Sequence, residues 1–319
     1  MIARSALSVL VLILAPVASA QTTGDAVVFD DELTLWAIPA PLPLGMTWRR
    51  PGPLVRRTII NEALDLSRGI GHAGVRLSCA ATSERPAAHW QGSVRATGDE
   101  FRGMIFDDKA GMGILFATVP GRLEREDELQ ASLDLRARRG RLTWLRMGVP
   151  SETCHALIDY VAAVDAGDVN AQYGFVRPLY QEGAGCSAFS VAFLQLAGLV
   201  EPWMREEWVF DVPIPMELIG GELNPGNPVG LGRLMTISRG WARPDEPQLH
   251  LNGWEPTFMF HSIRARTLAY DARVEQRGRA TGLVLDRRDQ VPSAALMDGS
   301  FFSGEPALDS EERFLTAEE

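Results

Sequence analysis

The sequence predicts an α+β fold in which a mainly antiparallel sheet packs against a few helices. Two observations carry this prediction. Short alternating or apolar runs dominate the first half of the chain, and each has the length of a strand. Two longer segments follow, with apolar residues at helical spacing and glycines near their ends.

The first twenty residues have the features of a cleavable export signal. Arg4 gives a positive start, an apolar run spans 6–17, and Ala18-Ser19-Ala20 forms a small-residue cleavage site. The run is shorter than the roughly 20 residues that a spanning helix needs. Cleavage near Ala20 and Gln21 is therefore predicted, and it would release a periplasmic or secreted protein without a membrane span.

Residues 21–70 are predicted to form an extended lead-in to the folded domain. Proline has no backbone N–H and disrupts helix interiors. Prolines recur through this stretch and argue against a continuous helix there, at Pro39, Pro41, Pro43, Pro51 and Pro53.

The clearest strand is His72–Cys79, where Ala73, Val75 and Leu77 alternate with more polar or smaller residues. Further strands are predicted at 93–97, 104–106, 114–119 and 142–149. The first helix is predicted to run from its cap at Ser151 to Gly167, and the second from Cys186 to about residue 199.

The folded domain is predicted to span residues 71–275. From about residue 200 it is rich in Trp, Pro and Gly, which favours loops and short strands wrapped on the core, with one more strand at 258–266. Residues 276–319 become polar and acidic, and they are predicted to form a flexible tail.

Charge and motif content limit the classes of ligand. The formal net charge is −10 and no basic block occurs, so nucleic acid is not an expected partner. A loose dinucleotide-binding pattern at Gly183, Gly185 and Ala188 lacks the apolar strand that should precede it. No pair of cysteines or histidines has zinc-binding spacing. Neither a cofactor nor a metal is therefore expected.

The segment Gly183-Ala184-Gly185-Cys186-Ser187 places a thiol at the first turn of an apolar helix. The partial positive charge and free N–H groups of a helix N-terminus stabilise a thiolate, which is the nucleophilic form. Cys186 is therefore a candidate nucleophile. The alternative is a small buried hydrophobic residue without chemistry.

A thiolate nucleophile needs a base, and His72 is the best placed of the five histidines. It follows Gly71 at the head of a predicted strand, so its side chain is expected at a sheet edge. The alternative for His72 is an ordinary strand start without a catalytic partner.

The order of these two motifs resembles the circularly permuted papain-like cysteine enzymes. That group includes the permuted NlpC-type peptidases and the lecithin:retinol acyltransferase-like proteins. The resemblance rests on Gly71-His72-Ala73-Gly74 followed by Gly185-Cys186-Ser187 and covers about residues 65–200. It implies a permuted papain-like fold, with Cys186 as the nucleophile and His72 as the general base.

The family usually adds a third polar residue on a neighbouring strand, which orients the histidine. His89 lies at about the right distance along the chain, and the alternatives are Glu84, Thr97 and Asp99. Two tyrosines that precede the cysteine, Tyr173 and Tyr180, are candidates for lining the site or for ordinary core packing.

Three cysteines occur, and in an oxidising compartment thiols tend to pair. A bond between Cys79 and Cys154 would leave Cys186 free and would tie the His72 strand to the first helix. The cysteine count does not fix the connectivity, so the other pairings stay open.

The sequence thus leads to two hypotheses. The first is an exported cysteine-dependent hydrolase or transferase that acts on an amide or acyl group of cell-envelope material, either a peptidoglycan peptide or a lipid acyl group. The alternative is a non-catalytic envelope module that retains the fold for binding or assembly.

Overall fold

The structure is a computed structural model that describes residues 27–40, 48–63, 71–98, 100–167, 169, 171–269 and 273–302. The predicted export signal lies outside these residues. Within them the α+β prediction is confirmed, because a large, mostly antiparallel sheet packs against helices.

The described strands are numbered in chain order: β1 (Glu32–Ile38), β2 (His72–Cys79), β3 (Ala88–Ala96), β4 (Val119–Arg125), β5 (Thr143–Gly148), β6 (Gln172–Tyr173), β7 (Val209–Pro215), β8 (Gln248–Trp254), β9 (Val274–Arg277) and β10 (Ala280–Asp286). Eight of them form one sheet in the order β6-β4-β3-β2-β1-β5-β10-β9. Neighbours are antiparallel except for the parallel pair β5 and β10. β7 and β8 form a separate antiparallel pair.

The described helices are α1 (Pro51–Ala63), α2 (Glu100–Phe106), α3 (Glu126–Arg138), α4 (Ser151–Ala166), α5 (Cys186–Leu196), α6 (Pro202–Trp208), α7 (Leu231–Met235), α8 (Pro256–Arg266) and α9 (Ala294–Met297). The largest apolar core lies between α4, α5, α8 and one face of the sheet, to which β1 contributes Leu33 and Leu35. Its Trp36 and Ile38 point to the other face and pack with α3. The period-2 alternation of β1 therefore serves two cores.

The predicted lead-in supplies two elements of the fold. β1 occupies a central position in the sheet between β2 and β5, and six of its seven residues are buried. α1 begins at Pro51, so the expectation that prolines exclude a helix is wrong at that point. Proline is tolerated in the first helical turn, where its missing N–H would have no intrahelical acceptor.

The strongest periodic patterns gave the correct elements. β2 has its predicted bounds, and β5 lies within the predicted segment 142–149. α4 ends before Gly167 as predicted, although Pro150 occupies the cap position that was expected for Ser151. α5 begins at Cys186 as predicted and ends three residues early, at Leu196.

Three predicted strands are wrong. Residues 104–106 lie in α2, residues 112–116 form a short 3₁₀ helix, and residues 258–266 lie in α8. Short apolar runs do not distinguish a strand from a helical turn. For α8 the missed signal was its start, where Glu255 caps the helix and Pro256 is its first residue.

The predicted flexible tail is also wrong as far as residue 302. β10 joins the main sheet beside β5, and Leu296 and Phe301 belong to the largest core. The polar composition reflects surface positions on ordered elements. A second apolar cluster is built on β7 and β8, where the rings of Trp48 and Phe210 stack with centroids 3.6 Å apart.

Candidate active site

Cys186 is the first residue of α5 and carries the one free thiol, because the other two cysteines form a disulfide. The chain turns into the helix through Gly183, whose φ of +121° favours glycine, and through Gly185. A Cβ at Gly185 would lie 2.5 Å from the Gly174 carbonyl oxygen, so the approach also requires glycine. The thiol is held in the interior, with Cys186 only 4% exposed.

Three groups meet the sulfur of Cys186: the imidazole of His72, the backbone amide of Ala73 and the hydroxyl of Tyr173. Burial alone raises the pKa of the thiol. The charge and hydrogen bond of His72, together with the hydrogen bonds from Ala73 and Tyr173, outweigh this effect, so the pKa lies below its ordinary value. The structure therefore brings the two sequence-predicted site residues together and favours the thiolate.

His72 is held from its other side by a buried carboxylate. Its Nε2 lies 2.5 Å from Oε2 of Glu124, and Glu124 is 2% exposed. Because Nε2 is engaged by Glu124, Nδ1 is the ring nitrogen that remains available to the thiol. A carboxylate in this position fixes the ring tautomer and stabilises the imidazolium.

Sheet register explains how Glu124 reaches His72. Glu124 lies on β4 and His72 on β2, with β3 between them. The β3 residue opposite Glu124 is the small Ser93. Its hydroxyl donates to the Ala73 carbonyl oxygen at 2.5 Å. Because Ser93 is small and its hydroxyl is bound to the backbone, it leaves space for the side chains of His72 and Glu124 to meet across β3.

Two neighbours restrain this pair further. The Trp36 and His72 ring centroids are 5.4 Å apart. Trp36 reaches this position because β2 has Gly74 opposite it, where a Cβ would lie 2.0 Å from the indole. The half-exposed Arg95 places Nη1 3.7 Å from Oε1 of Glu124. The Trp36 ring restrains the His72 imidazole, and the Arg95 guanidinium attracts the Glu124 carboxylate, so both help to keep His72 and Glu124 in contact.

The four candidates for the orienting residue do not occupy that position. His89 stands opposite Ser78, at the other end of β2, and faces Glu126 with 3.5 Å between Nε2 and Oε2. Glu84 is exposed on the β2–β3 turn. The Thr97 hydroxyl donates to the Pro120 carbonyl oxygen. Asp99 lies outside the described residues.

Glu124 was missed because its strand was not predicted. Its neighbours Arg122 and Arg125 give β4 the appearance of a surface segment. Of the two tyrosines, Tyr173 on β6 reaches the thiol, whereas Tyr180 stacks under the guanidinium of Arg177, 4.2 Å from the ring centroid.

A second missed residue is Glu255, which joins β8 to α8 and is 2% exposed. The pKa of its carboxyl is raised to about 8, chiefly by burial and to a smaller extent by the negative charge of Cys186. The sequence marked this segment only as part of the Trp-rich wrap. Glu255 is far from Cys186 in the sequence, and no local motif indicated that the two residues lie close together in the fold.

Cys79 and Cys154 form a disulfide with their Cα atoms 5.7 Å apart, which ties the end of β2 to the first turn of α4. In the part of the chain that the structure describes, the one grouping of three metal-ligand types is these two cysteines with Asp31. Both sulfurs are already bonded to each other, so this grouping supports no metal site.

No protein-family model, curated protein or solved structure matches the chain. Across the described ranges, no helix combines the length and the apolar character that crossing a bilayer requires.

Proposed function

We propose that the protein is a cysteine-dependent hydrolase or transferase of amide or acyl groups, with Cys186 as nucleophile and His72 as general base. The supporting observation is the buried contact series from Glu124 through His72 to the Cys186 thiol. It contains a nucleophile, a base and an orienting group in that order. Glu124 is the third member of this proposed triad.

The chemistry begins with transfer of the thiol proton to Nδ1 of His72. The thiolate of Cys186 then attacks the acyl carbon, a C–S bond forms, and the carbonyl oxygen takes up the negative charge. When this intermediate collapses, the bond to the amine or alcohol breaks, and that leaving group takes the proton from His72. A thioester remains on Cys186.

The second half releases the acyl group. His72 removes a proton from water or from an acceptor hydroxyl or amine, which attacks the thioester carbon. The C–S bond breaks, and the proton on His72 returns the sulfur to its starting state. Water as the acceptor gives hydrolysis, and another nucleophile gives transfer.

Two features near the sulfur would stabilise the oxyanion. Cys186 is the first residue of α5, and first-turn N–H groups of a helix have no intrahelical acceptor. The Tyr173 hydroxyl already donates toward the sulfur and is a second donor at the same point. Both would act on charge that develops next to the attacking atom.

We place the substrate in the cell envelope. The export signal proposed for residues 1–20 and the Cys79–Cys154 disulfide both suit an oxidising compartment outside the cytoplasm. The resemblance to permuted papain-like enzymes favours a peptidoglycan peptide or a lipid-linked acyl group as the substrate.

One observation favours the alternative of a non-catalytic envelope module. Cys186 is 4% exposed, and a substrate carbonyl must reach its sulfur. A protein that keeps the fold for binding or assembly would have no need of that access.

Thiol labelling separates the two functions. Under the enzyme proposal, iodoacetamide modifies Cys186 near neutral pH, and His72→Ala slows the reaction by roughly tenfold or more, because the thiol loses the partner that lowers its pKa. Mass spectrometry of the modified peptide gives the rate. His89→Ala is the matched control, since His89 pairs with Glu126 away from the site. Equal rates in wild type and His72→Ala would refute the proposal.

A turnover assay tests the substrate class. Purified peptidoglycan and acyl lipids are incubated with wild type and with Cys186→Ala, and products are separated by chromatography. Product from wild type alone supports the enzyme proposal and identifies the substrate. Equal product from both proteins removes Cys186 from the mechanism.

A further inference from the structure

Glu255 is a buried carboxyl group that the proposed triad does not use. Its Oε2 accepts a hydrogen bond of 2.6 Å from the Phe258 amide, which caps α8. Its Oε1 is buried and has no partner at full hydrogen-bond geometry among the described residues, while the hydroxyl and amide of Thr257 lie close enough to the carboxyl to stabilise its charge in part. Burial of the charged carboxylate costs more than these hydrogen bonds recover, so the neutral acid is favoured.

Hydrogen bonds of its neighbours Trp254 and Thr257 hold the segment around Glu255 at the catalytic end of the sheet. The hydroxyl of Ser187, the residue after Cys186, donates to the carbonyl oxygen of Trp254 at 2.7 Å. Glu255 follows Trp254, so this bond sets the first turn of α5 beside the start of α8. The hydroxyl of Thr257 accepts from the Ala40 amide at 3.1 Å, which fixes the same helix end to the chain after β1.

The two acids interact through their charges. The negative charge of the Cys186 thiolate disfavours ionisation of Glu255. By reciprocity, an ionised Glu255 disfavours the thiolate by the same free energy. Ionisation of either group therefore disfavours ionisation of the other, and the thiolate is more stable while Glu255 is protonated.

We infer that Glu255 is a positioning residue for the Cys186 thiolate. While the Glu255 carboxyl is protonated, Cys186 and His72 remain a thiolate and an imidazolium. Once the carboxyl ionises, the proton on His72 returns to the sulfur, which gives a neutral thiol and a neutral imidazole. This inference rests on the proposed function. It adds an upper pH limit to the reactivity of the site that the triad alone does not set.

The groups around Glu255 are consistent with this role. The charge of Cys186 of α5 acts on the carboxyl, and Thr257 of α8 hydrogen-bonds it. His72 of β2 and Tyr173 of β6 contact the Cys186 sulfur. From α6, Trp208 presents its carbonyl oxygen to the Glu255 amide at 2.8 Å.

The charged groups on the remaining sides are paired or act elsewhere. Glu124 lies against His72, and Glu207 of α6 pairs with Arg266 of α8. Arg264 of α8 acts on His261. Cys186 is thus the group whose charge reaches Glu255.

Alkylation of Cys186 across pH 6–10 tests the inference in the intact folded protein. In wild type, the rate falls by roughly threefold or more between pH 7 and 9, because Glu255 ionises near pH 8. In Glu255→Gln, which has no ionisable carboxyl, the rate stays level or rises over that interval. Glu207→Gln is the matched control and keeps the wild-type profile.

The outcomes separate this inference from the proposed function. If His72→Ala slows alkylation but Glu255→Gln keeps the wild-type profile, the triad stands and the inference is overturned. If His72→Ala has no effect, the proposed function fails whatever Glu255→Gln does.

A second measurement leaves Glu255 in place, in case Glu255→Gln does not fold. The infrared band of a protonated carboxyl is followed against pH in wild type and Cys186→Ala. Loss of the thiolate charge should let the carboxyl ionise at lower pH in the variant. An unchanged midpoint would overturn the inference.

Discussion

Glu124 shows how a single buried carboxylate completes the candidate site. It lies two strands away from His72, yet its oxygen is 2.5 Å from the imidazole. A carboxylate that remains charged in the interior needs a partner, and His72 and Arg95 supply positive charge on two sides. Glu124 therefore positions His72, and His72 in turn offsets the cost of burying the Glu124 charge.

Replacement of Glu124 by Gln should lower turnover by on the order of 100-fold or more, because the amide cannot stabilise an imidazolium and can favour the wrong ring tautomer. Glu126→Gln is the matched control two residues along, since Glu126 pairs with the exposed His89. The measurement is turnover of the identified substrate together with the alkylation rate of Cys186. Equal losses in both variants would contradict the positioning role.

The raised pKa of Glu255 also leads to a prediction about folding stability. Its pKa is raised to about 8 in the folded chain, above the ordinary carboxyl value. Between about pH 4.5 and 8 the unfolded chain has lost this proton while the folded chain keeps it. Stability therefore falls as pH rises through that window, by at most about 1.4 kcal/mol per pH unit from this group.

Glu255→Gln removes this contribution, so the free energy of unfolding should depend less on pH in the variant than in wild type between pH 5 and 8. Urea unfolding at several pH values measures the difference. Parallel curves for the two proteins would show that Glu255 ionises normally in the folded chain.

At the scale of residues, the sequence indicated Cys186 and His72 through local signals. A thiol after glycines at a helix start and an imidazole at a strand start are visible within five residues. Glu124 and Glu255 have no such signal, because each becomes special only through burial against distant residues. Tertiary packing, which local sequence does not record, decides their chemistry.

Among the elements, those with a long or regular apolar period were predicted well. β2, α4 and α5 each carry several repeats of their pattern. α2 and α8 were assigned as strands because their apolar residues are adjacent rather than periodic. β10 was missed because its apolar run, Leu283-Val284-Leu285, is only three residues long and lies between polar segments, although in the sheet it pairs with β5.

The disulfide joins two of these elements at the end of β2 opposite His72. Replacement of both Cys79 and Cys154 by Ala should lower the free energy of unfolding by about 2–5 kcal/mol, because the unfolded chain regains the freedom of a long loop. Denaturant unfolding measures this. Cys186→Ala, which keeps the bond, controls for loss of a buried sulfur.

The same double variant should leave Cys186 alkylation near its wild-type rate, since the bond lies at the far end of β2. A large loss of reactivity in a folded double variant would show that the bond also positions the site.

For the whole molecule, residues distant in sequence build one core. β1 from the start and β10 from the end both flank β5, and the chain after β10 returns Leu296 and Phe301 to the main cluster. The candidate site draws on β2, β4, β6, α5 and the start of α8. Its residues therefore come together only when the sheet is complete.

Helix α5 has a consequence for how the molecule would lose function. Nine of its eleven residues are buried, and its first residue is the proposed nucleophile. A helix so enclosed cannot shift or fray without opening the core on every side of it. Heat inactivation should therefore coincide with global melting, so a calorimetric scan and residual activity would trace one transition.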